Sequence, residues 1–165
     1  MSRAKSPIFK VAFRRRRENK TNFVKRLALV KSGKPRMVVR RSNKNVLIQF
    51  IEFDPKGDKT ILTVSGAHLQ KQYKWHSKRN VWTAYLAGLL AGKMAQKKGI
   101  GEFVLDIGMY TPSKGSLLFA ALKGASDAGL KTDFDKSMVP EQKISNPPEK
   151  MKGEFNSAKQ KIAAG

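Results

Sequence analysis

The segment Arg36-Met-Val-Val-Arg-Arg-Ser-Asn-Lys-Asn-Val-Leu-Ile-Gln-Phe-Ile-Glu-Phe-Asp-Pro-Lys-Gly-Asp-Lys-Thr-Ile-Leu-Thr-Val-Ser-Gly66 decides the fold class of this chain. It holds three runs rich in Val, Ile and Phe, at 36–42, 46–53 and 60–66, separated by Asn43-Lys44-Asn45 and by Asp54-Pro55-Lys56-Gly57-Asp58. Asn and Gly tolerate positive φ and Pro presets the backbone of a turn, so both separators have hairpin chemistry. The runs therefore predict a three-stranded antiparallel meander. In the middle run both alternating sets are apolar, Val46, Ile48 and Phe50 against Leu47, Ile51 and Phe53, which predicts a strand covered on both faces.

Toward the C-terminus, Val81, Ala84, Tyr85, Gly88, Leu89, Gly92 and Ala95 recur at helical spacing, and Lys93, Lys97 and Lys98 precede Gly99. Capping and macrodipole rules place a helix over 80–98. Gly88 and Gly92, four apart, are expected to let it lie close to a sheet. Phe103 to Ile107 reads as a buried strand, and Leu118, Ala121, Leu122 and Ala125 share one face of a further helix over 115–128. The expected fold class is α/β, a mixed sheet with the meander followed by α-β-α. Toward the N-terminus, Thr21 as N-cap, the apolar positions Phe23, Val24, Leu27, Ala28 and Val30, and a stop at Gly33 and Pro35 predict a helix over 21–31.

These readings divide the chain into a basic arm, 1–20, a core domain, 21–130, and a C-terminal extension, 131–165. In the extension the pattern dissolves around Pro140, Pro147 and Pro148, with a faint helical restart near Phe155 to Ile162. It is expected to have no core of its own. With 165 residues, 40% of them hydrophobic, one ordinary domain with appendages accounts for the length.

The charge is extreme and lopsided. The formal net charge is +22, and residues 1–51 carry 16 Lys or Arg against one acid, Glu18. Residues 101–165 carry 9 basic and 8 acidic side chains. A compact state with this balance repels itself, and a polyanionic partner lying against the front third relieves the repulsion. There is no cysteine, which excludes disulfides, thiolate metal sites and cysteine nucleophiles. Arg3, Lys5 and Lys10 are followed by no apolar signal core, and the weakly polar run Val81 to Gly92 is too short to span a bilayer, so a cytoplasmic address is expected.

The sharpest chemical signal is Phe13-Arg14-Arg15-Arg16-Arg17-Glu18-Asn19-Lys20. Guanidinium forks grip phosphate bidentately and stack on unpaired bases. A nuclear-import tag or lipid-binding patch is the bland alternative, but neither needs the basic pattern to continue through Arg26, Arg36, Arg40 and Arg41 into the strands. With Lys10, Asn43 and Lys44 these residues form the expected RNA-binding front. The stretch Gln70 to Arg79, containing Lys71, Tyr73, Trp75, Lys78 and Arg79, resembles a stacking loop between sheet and helix, although Trp75 equally suits a plug at the core edge. Thr111-Pro112-Ser113-Lys114-Gly115-Ser116 precedes a predicted helix, where Ser113 and Lys114 are candidates to hold an RNA phosphate. The segment lacks Walker A spacing.

An enzyme reading requires Asp106, Glu52 and Asp54 to converge around Mg²⁺ as in a nuclease. The alternative is that Asp54 opens a turn and Asp106 is a lone strand-end acid satisfied by backbone donors. His68 and His76 lack the spacing of a helical metal pair, and no nucleophile, base and orienter triad is legible. A peripheral membrane reading fails on the helical stripes, which are built largely of Ala and Gly. No catalytic residue, metal, cofactor, small-molecule substrate, membrane or homo-oligomer is expected.

Several blocks resemble a known family. They are Phe13-Arg-Arg-Arg-Arg-Glu-Asn-Lys-Thr21, Lys34-Pro-Arg-Met-Val-Val-Arg40, Ala84-Tyr-Leu-Ala-Gly-Leu-Leu-Ala-Gly92, Val104-Leu-Asp-Ile-Gly108 and Phe119-Ala-Ala-Leu-Lys-Gly-Ala-Ser-Asp-Ala-Gly-Leu130. In this order they resemble the large-subunit ribosomal protein that binds 5S rRNA, the L-eighteen family in its archaeal form, related to the eukaryotic L-five protein. The resemblance implies a ribonuclease H-like layer of the kind found in translational-machinery components, used as a scaffold on 5S rRNA in the central protuberance. It also implies contact with large-subunit rRNA and with neighbouring ribosomal proteins, including the L-five-type 5S rRNA binder. Carried over by position, Arg14 to Arg17, Lys20, Arg36, Arg40 and Arg41 are the residues expected to touch RNA. A fold shared with nucleases does not itself confer chemistry.

Overall fold

The computed structural model describes residues 6–164. The first five residues of the basic arm therefore lie outside the described residues. In chain order the elements are α1 (Arg14–Arg17), α2 (Phe23–Lys31), β1 (Arg36–Arg41), β2 (Val46–Glu52), β3 (Lys59–Ser65), α3 (Gly66–Tyr73), α4 (Val81–Lys97), β4 (Val104–Asp106), α5 (Leu117–Asp127), α6 (Glu141–Ser145) and α7 (Glu149–Ala164). A short 3-10 turn covers Lys136–Met138.

The strands form one four-stranded sheet in the order β3-β2-β1-β4. β1, β2 and β3 make the antiparallel meander, and β4 joins β1 in parallel. Val39 opposes Ile48 and Ile48 opposes Val64, so one face of the meander presents a continuous aliphatic row. Met37, Val39, Val46, Ile48, Phe50 and Val64 are buried there, and α4 with α5 cover them. Phe50 meets Phe103 edge to face at 5.5 Å between centroids.

The other face of β2 is only half covered, contrary to its two apolar sets. Leu47 and Ile51 are partly exposed and Phe53, just beyond the strand, is exposed. The register explains the difference. Leu47 and Ile51 stand opposite Arg40 and Arg36, and between them Gln49 stands opposite Val38. A face carrying two guanidinium groups offers little apolar surface for a helix to bury against. α2 has no buried residue, and Phe23, Val24 and Leu27 remain exposed on it. Its cap is Asn22, one residue after Thr21, whose side-chain oxygen accepts from the Lys25 N–H at 3.1 Å.

Gly88 and Gly92 serve helix–helix packing rather than the expected approach to the sheet. A Cβ at Gly88 would strike the Ala121 carbonyl of α5, and one at Gly92 would crowd the Ala128 methyl. From the other side, a Cβ at Gly124 would strike the Tyr85 carbonyl of α4. The three glycines thus let the α4 and α5 backbones approach within side-chain distance.

Two helices differ from the sequence pattern. α3 occupies the first part of the expected loop after β3, started by a capping box in which Ser65 and His68 exchange side-chain to backbone bonds. α7 spans 16 residues and sets Phe155, Ala158 and Ile162 into the common core. Phe155 meets Trp75 at 6.2 Å and Tyr85 at 5.8 Å between ring centroids. The extension therefore supplies part of the core of the α/β layer.

Candidate nucleic-acid interface

The described part of the arm, 6–20, is exposed along its length, and its local bonds leave most of its cations facing solvent. Phe13 is 76% exposed and meets Phe23 edge to face, with 5.7 Å between ring centroids. Arg14 to Arg17 make one helical turn without a buried residue. Glu18 accepts from Lys20 at 2.8 Å and approaches Arg14 at 3.8 Å. Arg15 donates through Nε to the Thr21 hydroxyl at 2.9 Å. Arg16 and Arg17 have no ion pair with a described residue. At such exposed positions the observed pairs contribute little to stability, so exchanging them for phosphate costs little.

Behind the arm the arginines behave differently. Arg36 is 4% exposed, with Nη1 donating to Asp106 Oδ2 at 3.0 Å and Nη2 to Asp58 Oδ2. Arg40 donates to Asp106 Oδ1 at 3.1 Å and to the Asp106 carbonyl at 2.8 Å. Arg26 reaches the same Asp58 oxygen at 3.0 Å. The result is an alternating chain, Arg26, Asp58, Arg36, Asp106 and Arg40, that ties α2, the β2–β3 turn, β1 and β4 together. At its buried centre, Arg36 with Asp106, removing one partner leaves an uncompensated charge.

This geometry corrects two expectations. Arg36 is not a surface contact, because both of its terminal nitrogens are taken by acids inside the protein. Asp106 is not a lone acid held by backbone donors: besides the Gly108 N–H at 2.8 Å, it holds two arginines. Asp54 opens its turn, as the alternative to the enzyme reading has it. Asp54 Oδ1 caps its turn through the Lys56 N–H at 2.9 Å, and no group of three potential metal ligands occurs among the described residues.

Trp75 takes the second of its two readings. It is 1% exposed, and its indole N–H donates to Thr83 Oγ1 at 2.7 Å, so its ring faces are packed rather than offered to bases. Tyr73 is partly buried at the end of α3, while Lys71 on the same helix is exposed. Lys78 and Arg79 are brought to the β1–β2 turn, where the Lys78 carbonyl accepts from the Val46 N–H at 3.2 Å and Arg79 donates to the Asn43 carbonyl at 3.1 Å. Asn43, Lys44, Lys78 and Arg79 thus share one end of the sheet. Arg41 lies 5.1 Å over the Tyr110 ring, and the Tyr110 hydroxyl donates to the Arg41 carbonyl at 2.6 Å. Tyr110 was not legible as a partner, since 69 residues separate the two. Ser113 and Lys114 are exposed before α5, in a turn braced by the Gly115 N–H on the Met138 carbonyl at 2.9 Å. Lys10, Lys20 and Lys44 are likewise exposed.

Elsewhere on the surface, the hydrogen bond between Lys34 and Glu102 at 2.8 Å raises the lysine pKa and lowers that of the carboxyl. Burial, then the charge of Asp127, pushes the Tyr85 hydroxyl pKa up, and the neutral hydroxyl donates to Asp127 at 3.0 Å. No helix among the described residues is long and apolar enough to cross a membrane.

The family of ribosomal large subunit proteins 60S L5 and 50S L18 matches residues 8–102. The large ribosomal subunit protein uL18 of Korarchaeum cryptofilum is 47% identical over 140 residues, which cover 84% of this chain and 71% of that protein. The Aeropyrum pernix protein of the same name is 47% identical over 137 residues, covering 82% of this chain and 64% of the relative. That of Ignicoccus hospitalis is 45% identical over 157 residues, covering 92% and 77%. The family match runs through the exposed arginine turn, the meander and α4 alike, and with these relatives it shows that the chain belongs to the family of ribosomal large subunit proteins 60S L5 and 50S L18.

Proposed function

We propose that this chain, a structural constituent of the large ribosomal subunit, binds 5S rRNA and helps attach it to large-subunit rRNA in the central protuberance. The observation that carries the reading is the exposed turn Arg14–Arg17, in which Arg16 and Arg17 have no acidic partner among the described residues. Phosphate oxygens are the natural acceptors for such forks. Lys10, Phe13 and Lys20 extend the contact along the arm. Arg41, Asn43, Lys44, Lys78 and Arg79 form a second contact at the sheet end, with Lys71, Ser113 and Lys114 beside the core. Arg26 and Arg40 take part through whichever of their donors the internal acids leave free.

In this division of labour residues 1–20 grip RNA, 21–130 present a rigid basic face, and 131–165 brace that body and meet neighbouring proteins, the L-five-type 5S rRNA binder among them. The role is architectural rather than catalytic, because Asp106, the acid on which an enzyme reading depends, is occupied by Arg36 and Arg40.

The test is to purify the chain with its bound nucleic acid and size the RNA. A discrete 5S species is expected, and a heterogeneous smear would contradict the assignment. If six phosphates are engaged, affinity for 5S rRNA falls with salt at a log–log slope of roughly −4 to −5.

A further inference from the structure

Between the arm with α2 and the second face of the sheet lies a cleft of about 480 Å³. That volume is within the range of sites that enclose a small organic group. α2 contributes Ala28 and Leu29, the sheet contributes Val38 and Ile51, and Arg15 and Lys25 add cations to a lining whose acids, Asp58 and Asp106, are already paired with arginines. Neither cation is ion-paired to a described acid. The buried Arg36 also lines the cleft, and its Nε still has no acceptor although both terminal nitrogens are engaged. Native proteins leave few such donors unused.

A ligand for this cleft has to satisfy three demands together. It needs an apolar body to cover the aliphatic side chains, acceptors for the guanidinium donors, and negative charge for Arg15 and Lys25. Free phosphate meets only the last two demands, and an aliphatic side chain only the first. A nucleotide meets all three, with the base as a planar apolar body edged by acceptors and the phosphate as the anion. Two sources share this chemistry, a free mononucleotide and an unpaired residue of bound RNA. Arg15 of the arginine turn itself lines the cleft, and this favours RNA. A base already unpaired in a loop or bulge is extruded most readily.

We propose that the cleft receives one unpaired nucleotide of the bound RNA, its base between α2 and the sheet and its phosphate against Arg15 and Lys25. The inference rests on the RNA-binding function proposed above and adds base recognition to backbone neutralisation.

Dimethyl sulfate and a carbodiimide together report the Watson–Crick edges of all four bases. Applied to 5S rRNA alone and in complex with the full chain, they should show one unpaired base that becomes protected. Ala28→Trp fills the cleft without changing charge. It should restore reactivity at that base and weaken binding tenfold or more, while the circular dichroism spectrum stays as in the parent. Ile51→Trp, which fills the same cleft from the sheet, should act alike. Saturable binding of AMP in calorimetry with an unchanged RNA footprint would overturn the proposal in favour of a free nucleotide. A parent complex that forms, yet leaves every unpaired base reactive, overturns it without recourse to the variants and leaves 5S rRNA binding intact. Failure of the parent chain to bind 5S rRNA overturns both readings.

Discussion

Helices α2 and α7 lie near opposite ends of the chain and carry similar amphipathic patterns, but they come to opposite fates. α2 buries nothing, with Val24 at 74% and Leu27 at 57% exposure. α7 buries Phe155 to 4% and Ile162 to 1%. Their intrinsic patterns do not explain this. What differs is the surface each one meets. α7 finds Trp75 and Tyr85, two aromatic side chains that pack with Phe155, and His76 fixes the same helix through Glu154 at 2.7 Å. α2 finds a sheet face bearing Arg36 and Arg40, and its main side-chain link to the body is the ion pair of Arg26 with Asp58. Sequestering the α2 stripe there would desolvate paired charges for little apolar gain. The chain thus uses its back end for stability and keeps its front end open for a partner, since clustered exposed apolar side chains mark interaction surfaces.

The comparison breaks most visibly at the two phenylalanines. Phe155→Ala should destabilise the fold by about 3–5 kcal/mol, the range for a large buried aromatic, whereas Phe13→Ala should change stability by less than about 0.5 kcal/mol. Urea unfolding followed by circular dichroism distinguishes the two, and equal losses would end the distinction between the ends. Replacing Arg14 to Arg17 by Gln should leave the unfolding midpoint unchanged and weaken 5S rRNA binding by roughly a hundredfold, about 2.7 kcal/mol. The salt slope should become shallower by about 3. Filter binding across a salt series measures both, and an unaltered slope would place the phosphate contacts elsewhere.

A smaller effect tests whether α2 stands on its own caps. Asn22→Ala removes the acceptor of the Lys25 N–H and should cost the helix about 1 kcal/mol. Hydrogen exchange should therefore quicken in α2 and stay unchanged in α4. The smallest effect is that of Leu27→Ala, within about 0.5 kcal/mol in the free protein. A loss as large as that of a core leucine would show that α2 is docked in solution after all.

Much of the fold was legible because its signals are local. The turn residues at 43–45 and 54–58 and the β-branched runs beside them place β1, β2 and β3 within a residue of their observed bounds. α4 was equally clear from its small-residue stripe and its terminal lysines. α3 was hidden by Lys71, Gln72 and Lys74, since Leu69 is its one large buried side chain and the capping box uses His68 rather than an acid. α7 was faint because Phe155, Ala158 and Ile162 are few among charged neighbours and follow Pro147 and Pro148.

The candidate site divides along the same line. That the front of the chain is cationic, and that Arg14–Arg17 cannot enter a core, follows from composition, because four adjacent guanidinium groups have a single acid, Glu18, near them in sequence to offset burial. Which of the other arginines face solvent could not be read that way. Arg36 meets Asp106 across 70 residues and Arg40 meets it across 66, and only the parallel pairing of β4 with β1 brings them together. The sequence by itself determined the strands, the long packed helices and the sign of the partner's charge, all set by neighbours along the chain. The tertiary structure decided which cations are spent internally, which aromatic ring is a plug and which helix is left open, because burial and ion pairing depend on groups that only folding brings within a few ångströms.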